Sequence, residues 1–407
     1  MKLDTIGVTP FTISRRGILA GGSALALASA IGAPRIARAA EPLRIGLVTS
    51  LSGTFTSLGE SMRAGLQLLL AEAGNEMGGR AVELIVEDDQ GKPDEGVRKV
   101  RKLLSQDKVD IICGVISAAV ALAIRDVVTE AQVPTFISNA SANALAREAA
   151  SPLVFRPTKT SWMLGSTGAR WVHDRIAKSG GMTLGADYAA GREYIGDFVS
   201  TFQELGGSVD EQLWTPLGTT DFAPLLTNVA AAGPEFVYAF FPGADGVRFL
   251  QQMRDFQLTD RVKLIGPGAL FDQEDVIPAA GDAALGGVNT FQQSPDAPNA
   301  RAFVEAYGRA RGGRLPGEAS TAGYVTAQVI KAAVDAVAGD VADKERFKRA
   351  ILDQPVETAM GRMAFDPRNN QAILDIFVNE VKKDAEGRPF NTVVHIYEGV
   401  RDPGPQA

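Results

Sequence analysis

The feature that most limits what this chain can become is an alternation that starts at residue 43. Short apolar runs of strand length are followed repeatedly by segments whose apolar residues fall at helical spacing. Residues 43–49 read as a buried strand, closed by Ser50-Leu51-Ser52-Gly53, and residues 60–73 as a helix carrying Met62, Leu66, Leu69 and Ala73 on one face. Residues 81–87 alternate as a strand, and Pro93 opens a helix carried by Val97, Val100, Leu103 and Leu104. Then come a strand at 109–114, a helix at 118–130 and a strand at 133–138. Such units bury both faces of their strands only in a parallel sheet covered by right-handed crossover helices. After residue 160 the pattern resumes, with helices expected over 161–179, 191–205, 222–231 and 246–256 and strands over 182–185, 236–241 and 262–265. Helices follow at 299–312, 320–338 and 347–352, and residues 372–381 and 392–397 read as an antiparallel pair. The expected fold is α/β, with two doubly wound parallel-sheet lobes; no flexible linker separates them, so several short crossings form a hinge. The length of 407 residues fits two domains.

The first 39 residues stand apart. Ser14-Arg15-Arg16-Gly17 opens an Ala- and Gly-rich apolar run that ends at Ala37-Arg38-Ala39. A twin-arginine pair before such a run, closed by small residues, resembles an export signal cleaved near Ala39, and places the mature protein in the periplasm. These residues carry five bases and one acid, a net +4, so their loss moves the formal charge from −7 to −11. An acidic surface argues against nucleic acid or an anionic membrane as partner. The single cysteine, Cys113, excludes an internal disulfide and lies in an apolar strand run.

Ligands of open parallel sheets bind beyond the carboxyl ends of the strands, so the loops there hold the candidates. The first strand leads into Ser52-Gly53-Thr54-Phe55-Thr56-Ser57-Leu58-Gly59, with Phe55 and Leu58 as candidate contacts. Ser117 and Ala118 begin a helix with no acid in its first turn, where backbone N–H groups accept an anion without a lysine or arginine; a plain N-cap is an equal reading. Ala140, Ser141 and Ala142 repeat the chemistry after the next strand. In the second half Tyr188, Ala190, Phe241 and Pro242 sit at strand ends, and one of Phe240 and Phe241 is expected to form an apolar cleft wall. Asp88-Asp89 reads as a solvated strand end. The two histidines, His173 and His395, have no metal-spaced partners, and no nucleophile elbow, Walker loop or HExxH occurs, so no catalytic group, metal or cofactor is expected.

Residues 42–385 resemble the substrate-binding proteins of branched-chain amino acid type ABC transporters, the leucine/isoleucine/valine-binding family with the type I periplasmic binding protein fold. The carriers are Leu43-Arg44-Ile45-Gly46 with Leu51-Ser52-Gly53, Asp88-Asp89-Gln90-Gly91-Lys92-Pro93, Ile137-Ser138, Gly281-Asp282-Ala283-Ala284-Leu285-Gly286 and the stretch 361–366. The resemblance implies a three-crossing hinge, lobe one over 42–158 plus 291–356, lobe two over 159–290 plus 357–400, and a tail at 401–407. It also implies a carboxylate held at Ser117-Ala118 and Ala140-Ser141-Ala142, a membrane permease as partner, and a monomer. Where amino-acid binders carry an acid for the ligand's ammonium, this chain has Gly268, which argues against an α-amino acid and leaves space. Pro216-Leu217-Gly218-Thr219-Thr220-Asp221-Phe222 and Phe240-Phe241-Pro242-Gly243-Ala244 resemble a subgroup that binds benzoate-like acids. The expected ligand is therefore a small aromatic carboxylate, delivered to a permease. Branched-chain amino acids, with Asp272 or Glu274 as the substitute acid, are the alternative, and a sensory binding protein a second one.

Overall fold

The computed structural model describes residues 41–405; the expected export signal and the last two residues of the expected tail lie outside the described residues. The first sheet holds β1 (Leu43–Thr49), β2 (Glu76–Met77), β3 (Arg80–Asp88), β4 (Ile111–Gly114), β5 (Thr135–Ile137) and β6 (Val154–Phe155), in the order β2-β3-β1-β4-β5-β6. All its pairings are parallel except the β2–β3 hairpin. Its strands are linked through α1 (Thr56–Glu72), α2 (Pro93–Lys102) and α3 (Ala118–Glu130). After α4 (Ser161–Arg175) the second sheet begins. It contains β7 (Gly181–Ala186), β8 (Val209–Thr215), β9 (Phe236–Phe240), β10 (Lys263–Pro267) and β11 (Val288–Phe291), with helices α5 (Ala189–Glu204), α6 (Ala223–Ala232), α7 (Gly243–Asp255) and α8 (Val276–Ala280). The central strands β7 and β9 are buried along their whole length, as a strand covered on both faces must be.

The chain then returns to the first sheet through α9 (Arg301–Ala310), α10 (Glu318–Ala336) and α11 (Lys344–Leu352). Helices α1 and α10 meet at backbone distance: a Cβ on Gly65 would lie 1.9 Å from the Ser320 carbonyl oxygen, and one on Gly323 2.1 Å from that of Met62. Only glycine permits this approach. Strands β12 (Val356–Thr358) and β13 (Gly361–Asp366) pack beside α10 and α11, and Phe365 meets Phe155 edge-on at 6.5 Å. By hydrogen bonding β12 and β13 extend the second sheet through β14, while they pack beside helices of the first lobe. The changeover is β14 (Gln371–Lys383), which pairs with β13 at its start and with β11 and β15 (Pro389–Val400) further on. These pairings are antiparallel, so the second sheet is mixed rather than purely parallel. The chain thus passes between lobes after β6, after β11 and along β14. At the first crossing Arg156 is fully buried and donates to the carbonyls of Ala142 (2.6 Å), Ala140 (3.0 Å) and Lys159 (3.3 Å); burial pushes its guanidinium pKa down to about 10. Buried Asp402, in the tail, accepts from Thr160 Oγ1 at 2.9 Å at the same crossing. Among the described residues no helix is long and apolar enough to cross a membrane.

Candidate ligand-binding cleft

Between the lobes lies a cavity of about 280 Å³, bounded by the carboxyl-end loops of both sheets. A wider depression of about 760 Å³ lies between α10 and α11, on the outside of the first lobe and away from the strand ends.

From the first lobe, Phe55 and Leu58 reach the cavity from the β1 loop. That loop is shaped by the Asp88-Asp89 pair, which is not merely solvated. Asp88 accepts from Leu51 N (2.8 Å) and Ser52 Oγ (2.6 Å), while buried Asp89 accepts from Ser50 Oγ (2.6 Å) and Gly91 N (2.8 Å). Burial pushes the Asp89 carboxyl pKa up, despite these donors. Gly91 has φ +68°, and a Cβ there would lie 3.0 Å from the Phe55 ring, so this turn both requires glycine and seats the aromatic. Ser117, Ala118 and Ala119 follow at the head of α3. Ser117 is the N-cap residue, yet its hydroxyl makes no capping hydrogen bond and the first turn holds no acid. The positive end of α3, its N–H groups unclaimed by a capping side chain, opens onto the cavity. Asn139 and Ser141 also line this side.

The second lobe supplies an aromatic wall. Tyr188 and Ala190 line the cavity at the head of α5, Tyr194 one turn further on, and Pro242 and Gly243 at the head of α7. The Phe240 ring stacks on Tyr188 at 6.2 Å and lies 4.6 Å from Tyr194. Burial, followed by the charge of Glu318, raises the phenol pKa of both tyrosines above the ordinary value, so both remain neutral donors.

Four expected contacts are absent from the lining. Phe241 is turned into the core of the second lobe, against Phe222 at 5.0 Å and Phe249 at 4.6 Å; its neighbour Phe240 forms the wall instead. The period of two along β9 explains this, since Phe236, Tyr238 and Phe240 share one face and Val237, Ala239 and Phe241 the other. Ala140 and Ala142 are buried in the first lobe's core, where their carbonyls hold Arg156, and the Ala140 N–H donates to Val115 O. Gly268 opens no space, because a Cβ there would lie 2.1 Å from the Phe291 ring. Ala269 lines the cavity in its place.

Three acids also face the cavity: Asp272, expected only as a substitute acid for an amino acid ligand, and Asp275 and Glu318, which were not expected. Asp272 accepts from the N–H groups of Glu318 (2.7 Å), Glu274 (2.9 Å) and Asp275 (3.1 Å), and burial pushes its pKa up to about 7. Glu318 is ion-paired with buried Lys159, which also donates to Asn139 O at 3.1 Å and Oδ1 at 3.3 Å. Glu274, the other substitute acid considered, lies outside the lining and is bound elsewhere. Tyr194 lies inside α5 and Glu318 is the first residue of α10, and neither sits in a motif that marks it in the local sequence. Among the described residues no group of three or more His, Cys, Asp or Glu is placed to hold a metal ion. Cys113 is buried, and burial pushes its thiol pKa up to about 12.

Two α/β lobes joined by repeated crossings, with a small cavity at their facing strand ends, define a type I solute-binding protein. The chain belongs to the periplasmic binding protein family, whose family model matches residues 42–386. It is 28% identical over 376 residues to a Leu/Ile/Val-binding protein homologue of Brucella melitensis, covering 90% of this chain and 95% of that one. Among solved structures it is similar to an ABC transporter substrate-binding protein from Sphaerobacter thermophilus, with 34% identity and a TM-score of 0.85 over 89% of this chain and 99% of that one. A solute-binding protein from Rhodopseudomonas palustris, solved in complex with 3,4-dihydroxybenzoic acid, has 28% identity and a TM-score of 0.83 over the same shares. The chain is thus a periplasmic binding protein of the kind that serves ABC transporters.

Proposed function

We propose that this protein captures a small aromatic carboxylic acid between its lobes and passes it to a membrane permease. The observation that carries the reading is the state of the polar groups around the cavity. Asp272 is already saturated by backbone donors and Glu318 is already paired with Lys159, so neither offers a free charge to a ligand ammonium. The uncapped head of α3 and the Ser117 hydroxyl offer donors to a carboxylate. Tyr188, Tyr194 and Phe240 offer a flat apolar wall. A cavity of about 280 Å³ sits at the low end of ligand pockets, as a one-ring acid requires. The benzoic acid derivative held by the Rhodopseudomonas relative agrees with this chemistry. The second reading is a branched-chain amino acid, favoured by the name of the Brucella relative and by Asp275, the cavity acid with an exposed hydrogen bond, to Ser57.

The working cycle is a hinge closure in which the ligand bridges the lobes and shifts an open–closed equilibrium. The lobes comprise 42–155 with 301–366, and 161–291 with most of 371–400. The twin-arginine segment exports the chain to the periplasm and is cleaved near Ala39, and the mature protein acts as a monomer. ATP hydrolysis takes place on another subunit.

A thermal-shift panel on the chain from residue 40 onward tests the ligand class, using benzoate, 4-hydroxybenzoate, 3,4-dihydroxybenzoate, leucine, isoleucine and valine. An acid at 100 times its Kd adds about 2.7 kcal/mol of stability. A shift with leucine and none with the aromatic acids would overturn the reading.

A further inference from the structure

The segment Asp272–Asp275 follows β10 and packs on the second lobe, yet its acids turn outward across the cleft. Glu274 Oε1 accepts from Tyr307 Oη at 2.7 Å and Ser61 Oγ at 3.0 Å, and Oε2 from Ser320 Oγ at 2.8 Å and Gly317 N at 3.3 Å. Asp272 Oδ2 accepts from Glu318 N at 2.7 Å, and Asp275 Oδ2 from Ser57 Oγ at 2.8 Å. Every one of these donors belongs to α1, α9 or the head of α10, all in the first lobe. Glu274 is buried, and both carboxylate oxygens are shared among hydroxyl and backbone donors at the positive end of a 19-residue helix. Gly317 makes room for this. A Cβ there would lie 2.4 Å from Asp272 Oδ1 and 2.7 Å from Glu274 Cβ, so any other residue would push the acids off the helix. Glu274 itself does not line the cavity.

We propose that Glu274, flanked by Asp272 and Asp275, is a clasp that holds the two lobes together without ligand. The inference rests on the reading that the lobes open and close, but not on which ligand they take. A buried carboxylate with four donors is a strong contact only while the lobes are shut. On opening, Glu274 and the hydroxyls return to water, so losing the clasp costs the closed state and spares the open one.

The test is small-angle X-ray scattering of ligand-free full-length protein and its variants. Ligand-free wild type is expected to scatter as the closed form. Glu274→Ala is expected to raise the radius of gyration and to restore fast exchange of solvent with the cleft in hydrogen-exchange measurements. Tyr307→Phe removes one hydroxyl with little risk to folding and is expected to shift both readouts the same way, less far, so the proposal stays testable if Glu274→Ala fails to fold. Wild-type scattering that already matches an open form would overturn the clasp, as would variant curves that superimpose on wild type. Because no ligand is present, a failed ligand panel and a failed clasp are separate results.

Discussion

Phe240 and Phe241 are neighbours in sequence that face opposite solvents: one a cavity, the other a core. Replacing Phe241 by alanine removes a ring packed against Phe222 and Phe249 and is expected to cost about 3–5 kcal/mol of stability in a thermal melt. Affinity of the folded remainder for an aromatic acid should stay within about twofold, since the ring does not reach the ligand. Phe240→Ala should instead weaken aromatic-acid binding by about tenfold, seen by titration calorimetry. The chemistry of this site was legible as residue types at strand ends, but the choice between adjacent phenylalanines needed the strand's phase, which β9 supplies. Gly268 teaches the same lesson. Its lack of a side chain reads as room for a ligand, whereas the space belongs to Phe291. Gly268→Ala is expected to overpack this contact and cost about 1–3 kcal/mol, partly recovered by adding Phe291→Val.

At the scale of elements, α3 separates a structural cap from a functional one. Because the Ser117 hydroxyl makes no capping bond, Ser117→Ala should change stability by less than about 0.5 kcal/mol, well below the usual cost of losing a cap. The same variant should weaken binding of the acid by about five- to tenfold if the hydroxyl donates to it. Thermal melts and titrations on one sample decide this, and a large stability loss with unchanged affinity would return Ser117 to the role of ordinary cap. Helix α3 begins and ends where its pattern predicts, as does β1, because each is a clean apolar run with punctuation at both ends. Strand β8 went unpredicted because it is an edge strand with Asp210, Glu211 and Gln212 exposed. Strand β11 was hidden for another reason. Asn289 interrupts its apolar run, but in the sheet it is buried and bonded to Asn391 at 2.8 Å and Asn379 at 3.2 Å, a network invisible until strands distant in sequence are paired.

For the molecule as a whole, closure should depend on pH. Asp272, in the closed cleft, faces Glu274, Asp275 and Glu318, the last paired with Lys159, and burial holds its pKa near 7 against an ordinary 3.8. Asp197 on α5, bonded to Asn143 of the first lobe at 2.8 Å, is likewise raised to about 7, chiefly by burial. Both groups bind protons more tightly in the closed form than in water. The closed form is therefore favoured at low pH and loses ground as pH rises from about 4 to 7. Scattering of the ligand-free protein at pH 5 and pH 8 should show the shift toward the open form, and the Asp272→Asn variant should reduce it.

The backbone contact between α1 and α10 has a consequence for how the protein is made. The first lobe's core joins the opening strand and helix to segments near residues 318–365, and the second lobe needs β14 and β15 from the end of the chain. A ribosome must therefore deliver nearly the whole polypeptide before either half can complete its interior, and such distant contacts form slowly. The finished protein should melt in a single step, and a tryptic cut in the exposed run Arg311-Gly312-Gly313-Arg314 should leave two pieces that stay together until they unfold together.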